Sequence, residues 1–392
     1  MNPHYQSADI GKADVLCFSH LRWDFVYQRP QHLMSRFARK RRVFYIEEPV
    51  QHDGDASWLF TQVEENILRC VPKLPDPAGA DAAELMRGLV ASLIEKNGIQ
   101  RSIHWFYTPM MTGWSMGQPM VTVYDCMDEL SKFRFAPGGI VDLERQLFGK
   151  ADLVFTGGHS LYEAKRNQHR SVHEFPSSID ASHFRQAVFD HEEIEDQREL
   201  ARPRLGYAGV IDERIDLDLI AAAADLRPEW SFIMLGPVVK IEEAVLPQRP
   251  NIHYLGMKDY ADLPRYFAGW DVGMMPFALN ESTEFISPTK TPEYLAAGLP
   301  VVSTPIKDVV CPYGEKGLVE IASSPEDFVE AAHRAMASDK VERLRQVDLF
   351  LADRSWDRTS REMDSLINAV ARKPGQSGRA ATTRAAAVRY AA

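Results

Sequence analysis

Lys290 and Glu293, in the segment SPTKTPEYLAAGLPVV, are the pair whose types and spacing suit chemistry on an anionic substrate. The segment reads as a polar loop, a helix and then a strand at 300–304, so the two side chains lie one helical turn apart near the helix start. Ser287-Pro288 and Thr291-Pro292 are both acceptable starts, because a hydroxyl N-cap followed by proline suits a helix N-terminus. Thr291-Pro292 is the less strained, since proline deep inside a helix is costly. Either start turns free backbone N–H groups and the positive end of the helix dipole toward the loop, where Ser287, Thr289 and the Lys290 ammonium would meet a phosphate. Glu293 beside them can accept hydrogen bonds from sugar hydroxyls, and Gly298 ends the helix. In isolation a lysine and a glutamate at this spacing are more often a solvated surface pair.

Two further clusters follow strand-like runs. FSHLRWDFVYQRPQHLM holds His20, Arg22, Trp23, Asp24, Gln28 and Arg29, polar and aromatic groups suited to stacking on a sugar acceptor and hydrogen bonding it. In VYDCMDE, Asp125 and Asp128 end a strand and are candidates to orient or deprotonate an acceptor hydroxyl, with His20 as a third catalytic candidate. A helix cap is the alternative for Asp128. His104 reads as a strand residue and His159 as a strand-end residue. The string DLD at 216–218 has the look of a metal-binding DxD, but it lies in IDLDLIAAAA, where its acids read as a helix cap and a first-turn charge. No metal ligand set is assigned.

These residues need a scaffold that brings loops together at one edge. Short apolar runs alternate with helical periodicity: ADVLCFSH, RRVFYIEEP, ILRCV, SIHWFYTP, MVTVYD and DLVFTGG read as strands, and QHLMSRFARK, 81–98 and 138–151 as helices. A second series starts at RLGYAGV and runs through WSFIMLGP, NIHYLG, DVGMMPF and LPVVST with helices between. The pattern predicts an α/β chain of two doubly wound parallel-sheet domains facing a cleft: 1–185 for the acceptor, 186–372 for the nucleotide, and a mobile basic tail at 373–392. The last helix of the second domain is placed to cross back to the first.

The segment around Lys290 resembles the nucleotide-sugar signature of retaining glycosyltransferases with the GT-B fold, in the bacterial form with proline, lysine, glutamate and tyrosine before AAG and PVV. The resemblance extends over most of the chain. ADLVFTGGHSLYEAKRNQHRSVHEFPSSIDASHF looks like the end of the family's first domain, and RLGYAGVIDERIDLDLI like the opening of its nucleotide domain, with Gly209 allowing close backbone approach and Arg214 near the family's basic phosphate ligand. What the resemblance implies is glycosyl transfer from a nucleotide-sugar, UDP being the commonest choice, with retention and without an obligatory metal or other cofactor. Lys290, Arg214 and the helix start would carry the charge of the leaving diphosphate.

Two positions depart from that pattern. The family's two glutamates have seven residues between them, which from Glu293 leads back to Phe285, with Glu284 one position off as the stand-in donor ligand. Val210 stands where a basic residue usually follows the glycine.

A net charge of -10 argues against nucleic acid as partner, and 392 residues with 45% hydrophobic content suffice for two domains. Cys17, Cys70, Cys126 and Cys311 are too far apart for a zinc or dithiol motif and read as reduced core residues. With no long apolar run, the expectation is a cytoplasmic protein, with a weak peripheral membrane contact through the basic tail as one reading of that tail and an unstructured terminus as the other. The expected partners are a nucleotide-sugar donor and a carbohydrate, lipid-linked or small-molecule acceptor. A nonhydrolysing sugar-nucleotide epimerase and a nonenzymatic nucleotide- or glycan-binding subunit are the competing readings.

Overall fold

A computed structural model describes residues 12–189 and 194–371. The tail at 373–392, with its expected mobility and membrane contact, lies outside the described residues.

The first half runs β1 (Asp14–Phe18), α1 (Arg29–Ala38), β2 (Val43–Ile46), β3 (Val50–Gln51), β4 (Ser57–Glu64), β5 (Ile67–Leu74), α2 (Ala82–Lys96), β6 (Ser102–Phe106), β7 (Val121–Cys126), α3 (Ile140–Lys150), β8 (Leu153–Thr156), α4 (His159–Lys165) and β9 (Val172–Glu174). The strands form one sheet in the order β3-β5-β2-β1-β6-β7-β8-β9, with β4 added antiparallel to β5. Strands such as DVLCF and VTVYDC are buried along their whole length, as a parallel sheet covered on both faces requires. The β4–β5 hairpin is absent from the sequence-based reading. SWLFTQVE keeps its middle exposed and shows no clean alternation, and the one local signal is Asn66, which takes the left-handed conformation at the turn.

The second half runs α5 (Ala181–Phe189), α6 (Glu195–Arg198), β10 (Arg204–Ala208), α7 (Leu217–Leu226), β11 (Ser231–Leu235), β12 (Ile252–Gly256), α8 (Leu263–Ala268), β13 (Val272–Met275), α9 (Lys290–Ala296), β14 (Val301–Ser303), α10 (Lys307–Val309), β15 (Glu320–Ile321), α11 (Pro325–Ala337), α12 (Lys340–Leu351) and α13 (Trp356–Ala371). Its six parallel strands lie in the order β12-β11-β10-β13-β14-β15, which is the doubly wound arrangement with its switch point between β10 and β13. Phe184 of α5 stacks on Phe267, so α5 packs with the second sheet although it straddles the expected boundary at 185/186. The DLD acids are a cap, as expected: Asp216 accepts the Leu219 N–H at 2.8 Å, and Asp218 lies in the first turn of α7.

Helix α13 leaves the second sheet and packs on the first. Trp356, Met363 and Ile367 are buried in the same apolar cluster as Leu33, Val123 and Phe155. Cys17, Cys70 and Cys126 are buried, whereas Cys311 corrects the core reading: it lies exposed at the kink of the helical turn Val310–Gly314 that follows α10, where its backbone is extended. Among the described residues no helix is long and apolar enough to cross a membrane.

Candidate active site

Two adjoining cavities, of about 200 and 130 Å³, lie between the sheets, and their walls are mainly loops that follow the carboxyl ends of strands from both. Val26, Tyr27, Gly209 and Lys290 line both. This edge of a parallel sheet is where the strands' side chains stop and loop backbones are free to face a ligand.

Helix α9 sets the second sheet's contribution. Its first residue is Lys290 behind an N-cap at Thr289, and the Pro288 carbonyl accepts the Thr291 N–H, so the helix begins midway between the two expected starts and neither Ser287 nor Thr291 is its cap. Pro292 then falls in the first turn, where its missing N–H would have had no intrahelical partner in any case. Tyr294 Oη accepts the Ala208 N–H at 2.7 Å, which ties α9 to β10 and sets Lys290 beside Gly209. Gly298, at φ +78, ends the helix as expected.

Lys290 and Glu293 are not a solvated pair. Lys290 is 9% exposed and Glu293 4%, and Nζ lies 2.5 Å from Oε2. Lys290 forms cavity wall with Ser287 and Thr289, and Glu293 sits behind it. Burial raises the Glu293 carboxyl above its ordinary range, and the Lys290 ammonium opposes the shift.

Arg214 also lines the smaller cavity, but Asp212, which the sequence reading passed over, holds its guanidinium in a fork with Nε–Oδ1 at 2.9 Å and Nη2–Oδ2 at 2.7 Å. Phe133 of the first half lies beneath it. Gly209 faces both cavities, and its carbonyl packs so closely on Gly236, at φ +142, that any side chain at Gly236 would collide with it. Glu284 forms no wall of either cavity. Its carboxylate pairs with Lys307 at 3.1 Å on the surface, and the ring of Phe285 lies against the same lysine.

From the first sheet, Asp128 reaches the smaller cavity and Asp125 does not. Asp125 is fully buried and accepts from Arg29 Nε and Nη2, with the shortest contact at 2.8 Å, while Arg29 Nη1 donates to the Phe175 carbonyl at 2.7 Å. This pair joins α1, β7 and the segment after β9, so the geometry gives Asp125 a bracing part; Arg29 still touches the cavity with one edge. Asp128 is half-buried. Burial raises its carboxyl, opposed by the field of Arg214, Lys240 and Arg29.

His20 sits at the switch point of the first sheet, next to Tyr107 and Lys240. Burial first, then the Lys240 charge, hold its imidazole at about 4, so it is neutral at physiological pH, and its Nδ1 has no hydrogen-bond partner. Of the acceptor-loop residues, Trp23 and Asp24 line the larger cavity and Gln28 the smaller. Arg22 is tied to Glu47 Oε2 at 3.0 Å and to the Glu48 carbonyl at 2.7 Å, and Asp24 pairs with Arg69. Glu47, 2% exposed, also accepts the Trp23 N–H at 2.8 Å and so anchors the whole loop. Its position at the end of VFYIEEP was the available signal. His104 is a buried strand residue between Ser102 and Ser115, as read, and His159 faces Glu174.

The walls also touch directly. Tyr27 stacks on Tyr260 with ring centroids 4.6 Å apart, the Ser177 hydroxyl donates to the Ser287 carbonyl at 3.0 Å, and Asp308 accepts the Ser160 N–H at 2.9 Å. A methyl group at Gly158 would strike Asp308 and come within 2.6 Å of Ser287 Cβ. Gly158→Ala is therefore expected to destabilise this closed arrangement by about 1–3 kcal/mol. The check is small-angle scattering with donor titration: a larger radius of gyration and weaker donor binding are expected, and identical curves would show that the contact yields. Among the described residues no group of three or more His, Cys, Asp or Glu side chains is arranged to hold a metal.

Residues 202–338 match the family of glycosyl transferases group 1. The chain is 30% identical over 155 residues to the putative teichuronic acid biosynthesis glycosyltransferase TuaH of Bacillus subtilis (strain 168), a stretch covering 36% of this chain and 37% of that protein. Only about a third of that relative's length is thus matched. Among solved structures, the E. coli trehalose-6-phosphate protein bound with UDP-2-fluoro glucose superposes with a TM-score of 0.66 at 12% identity, over 91% of this chain and 99% of that one. WaaG, a glycosyltransferase of lipopolysaccharide biosynthesis, does so with 0.62 at 13%, over 90% and 99%. Identities this low speak to the fold, which is GT-B: two Rossmann-like domains across a cleft.

Proposed function

We propose that this GT-B chain, whose second sheet carries a glycosyl transferases group 1 domain, transfers a glycosyl group from a nucleotide-sugar, UDP-linked by preference, to a glycan, lipid-linked or small-molecule acceptor. The observation that carries the reading is the convergence of Lys290 and Arg214 on one cavity wall while Asp128 enters the same cavity from the other sheet.

Breaking the bond between the anomeric carbon and the phosphate oxygen leaves negative charge on a nucleoside diphosphate. Lys290 and Arg214 are the cations placed to meet it, in a site whose partial burial strengthens their field. The acceptor oxygen bonds to the anomeric carbon as the bond to the phosphate oxygen breaks, and the hydroxyl proton passes to that departing diphosphate oxygen. Asp128 is our candidate for orienting that hydroxyl; His20, neutral and under the Lys240 charge, lines neither cavity. Trp23, Gln28 and Asp24 are placed to contact the acceptor. Transfer with retention and without a metal completes the proposal, with Lys290 and Arg214, each also held by a carboxylate, as the donors that meet the diphosphate.

Purified protein incubated with UDP-, GDP- and dTDP-sugars and an acceptor panel tests the reading: a new glycoside whose anomeric proton coupling in NMR matches the donor, formed equally in EDTA, is expected. Epimerised donor, or donor binding without turnover for every acceptor, would favour the epimerase or the binding subunit instead. Asp128→Asn is expected to raise the acceptor KM about tenfold, the value of one charge-assisted hydrogen bond, with donor affinity unchanged by calorimetry. An unchanged acceptor KM removes Asp128 from the site.

A further inference from the structure

At the far end of α1 from the cleft, about 15 Å along its ten residues, a second recess of about 180 Å³ opens between the α1–β2 turn and α13. Five cations line it: Arg36, Arg39, Lys40 and Arg41 from the run RFARKRR, and Arg361 from α13. Two carboxylates, Asp357 and Asp364, face them. Asp357 takes Arg36 at 3.1 Å and Arg39 at 2.5 Å, and Asp364 takes Arg41 at 2.6 Å and Lys40 at 3.5 Å. The acids are therefore already shared, and the recess keeps a surplus of three positive charges in a protein whose net charge is -10.

Arg41 forms the inner wall of the recess. Its side chain is 1% exposed, and although Nη2 binds Asp364, Nε and Nη1 have no hydrogen-bond partner. Guanidinium N–H groups buried in this way are costly when unmatched, because they have lost water and gained no acceptor. Arg41 also lies over the Phe37 ring, its carbon 5.4 Å from the centroid, which fixes the plane of the fork. A planar fork with free donors, ringed by four further cations, fits the oxygens of a tetrahedral dianion better than a carboxylate already committed elsewhere.

We propose that this recess is a phosphate-binding site, separate from the cleft. It takes the phosphate of a soluble phosphoester or of a lipid headgroup, and it clamps α13 to α1 when filled.

Calorimetry with sodium phosphate against sodium chloride at matched ionic strength tests it, alongside melting curves and co-sedimentation with phosphatidylglycerol or phosphatidylcholine vesicles. The rim variant Arg39→Ala/Arg361→Ala avoids the buried Arg41, and Lys290→Ala reports on phosphate held in the cleft. Saturable phosphate binding with a raised melting temperature is expected in the full chain and in Lys290→Ala, weakened at least about tenfold in the rim variant. Co-sedimentation with phosphatidylglycerol alone, lost in the rim variant, assigns the phosphate to lipid. Equal phosphate and vesicle binding by the full chain and the rim variant, or binding lost only in Lys290→Ala, overturns the site, as does the absence of binding in both arms.

Discussion

Replacing Lys290 by alanine is expected to lower kcat/KM for glycosyl transfer by about 10²–10³-fold, the loss seen when one preorganised group facing developing negative charge is removed. Two effects are superposed. The ammonium is lost from a wall shared by both cavities, and Glu293, 4% exposed, loses the partner 2.5 Å away that keeps it charged. An orphaned buried carboxylate costs several kcal/mol or takes up a proton, and burial already pushes Glu293 toward the protonated form. The variant should therefore melt earlier as well as turn over more slowly. Lys290→Ala/Glu293→Gln separates the two: the neutral pair recovers much of the melting temperature and none of the rate. A folded Lys290→Ala protein with unchanged kcat/KM and donor affinity would remove Lys290 from the donor site.

The largest stability effect falls on Asp125. Its alanine variant is expected to lose about 3–5 kcal/mol of folding free energy, because Arg29, 2% exposed, would be left as a buried cation facing an apolar gap. Denaturant unfolding followed by fluorescence measures it as a lower midpoint with little change in slope. Asp125→Asn, which keeps the shape and one acceptor, should lose less. If Asp125 were instead the group acting on the acceptor, both variants would lose turnover by comparable factors and stability would hardly change.

Asp125 also shows where sequence reasoning stops. Strand-end position placed Asp125 and Asp128 on equal terms, three residues apart in VYDCMDE, and nothing in their types separated them. The partner did: Arg29 arrives from α1, 96 residues away in the chain, and claims one and not the other. The same holds at Arg214, whose charge is shared with Asp212, and at Glu284, drawn to the surface by Lys307. By contrast the two sheets, the caps of α7 and the end of α9 were legible, because buried parallel strands and helix termini write themselves as local pattern. The β4–β5 hairpin was not, since an exposed edge strand carries little apolar signal. The burial of Lys290 and Glu293 could be expected only from resemblance; their spacing alone pointed to solvent.

Helix α13 bears on how the molecule comes to be made. The first sheet is translated ahead of the second, yet Trp356, Met363 and Ile367, which close its apolar face, leave the ribosome after the second sheet. Until then Leu33 and Phe37 lack part of their cover, and Asp357 and Asp364 are not there to meet Arg36 and Arg41. The half begun first is the half finished last, so a nascent chain stalled before residue 356 would present an incomplete first domain to chaperones and proteases, however well the second had folded.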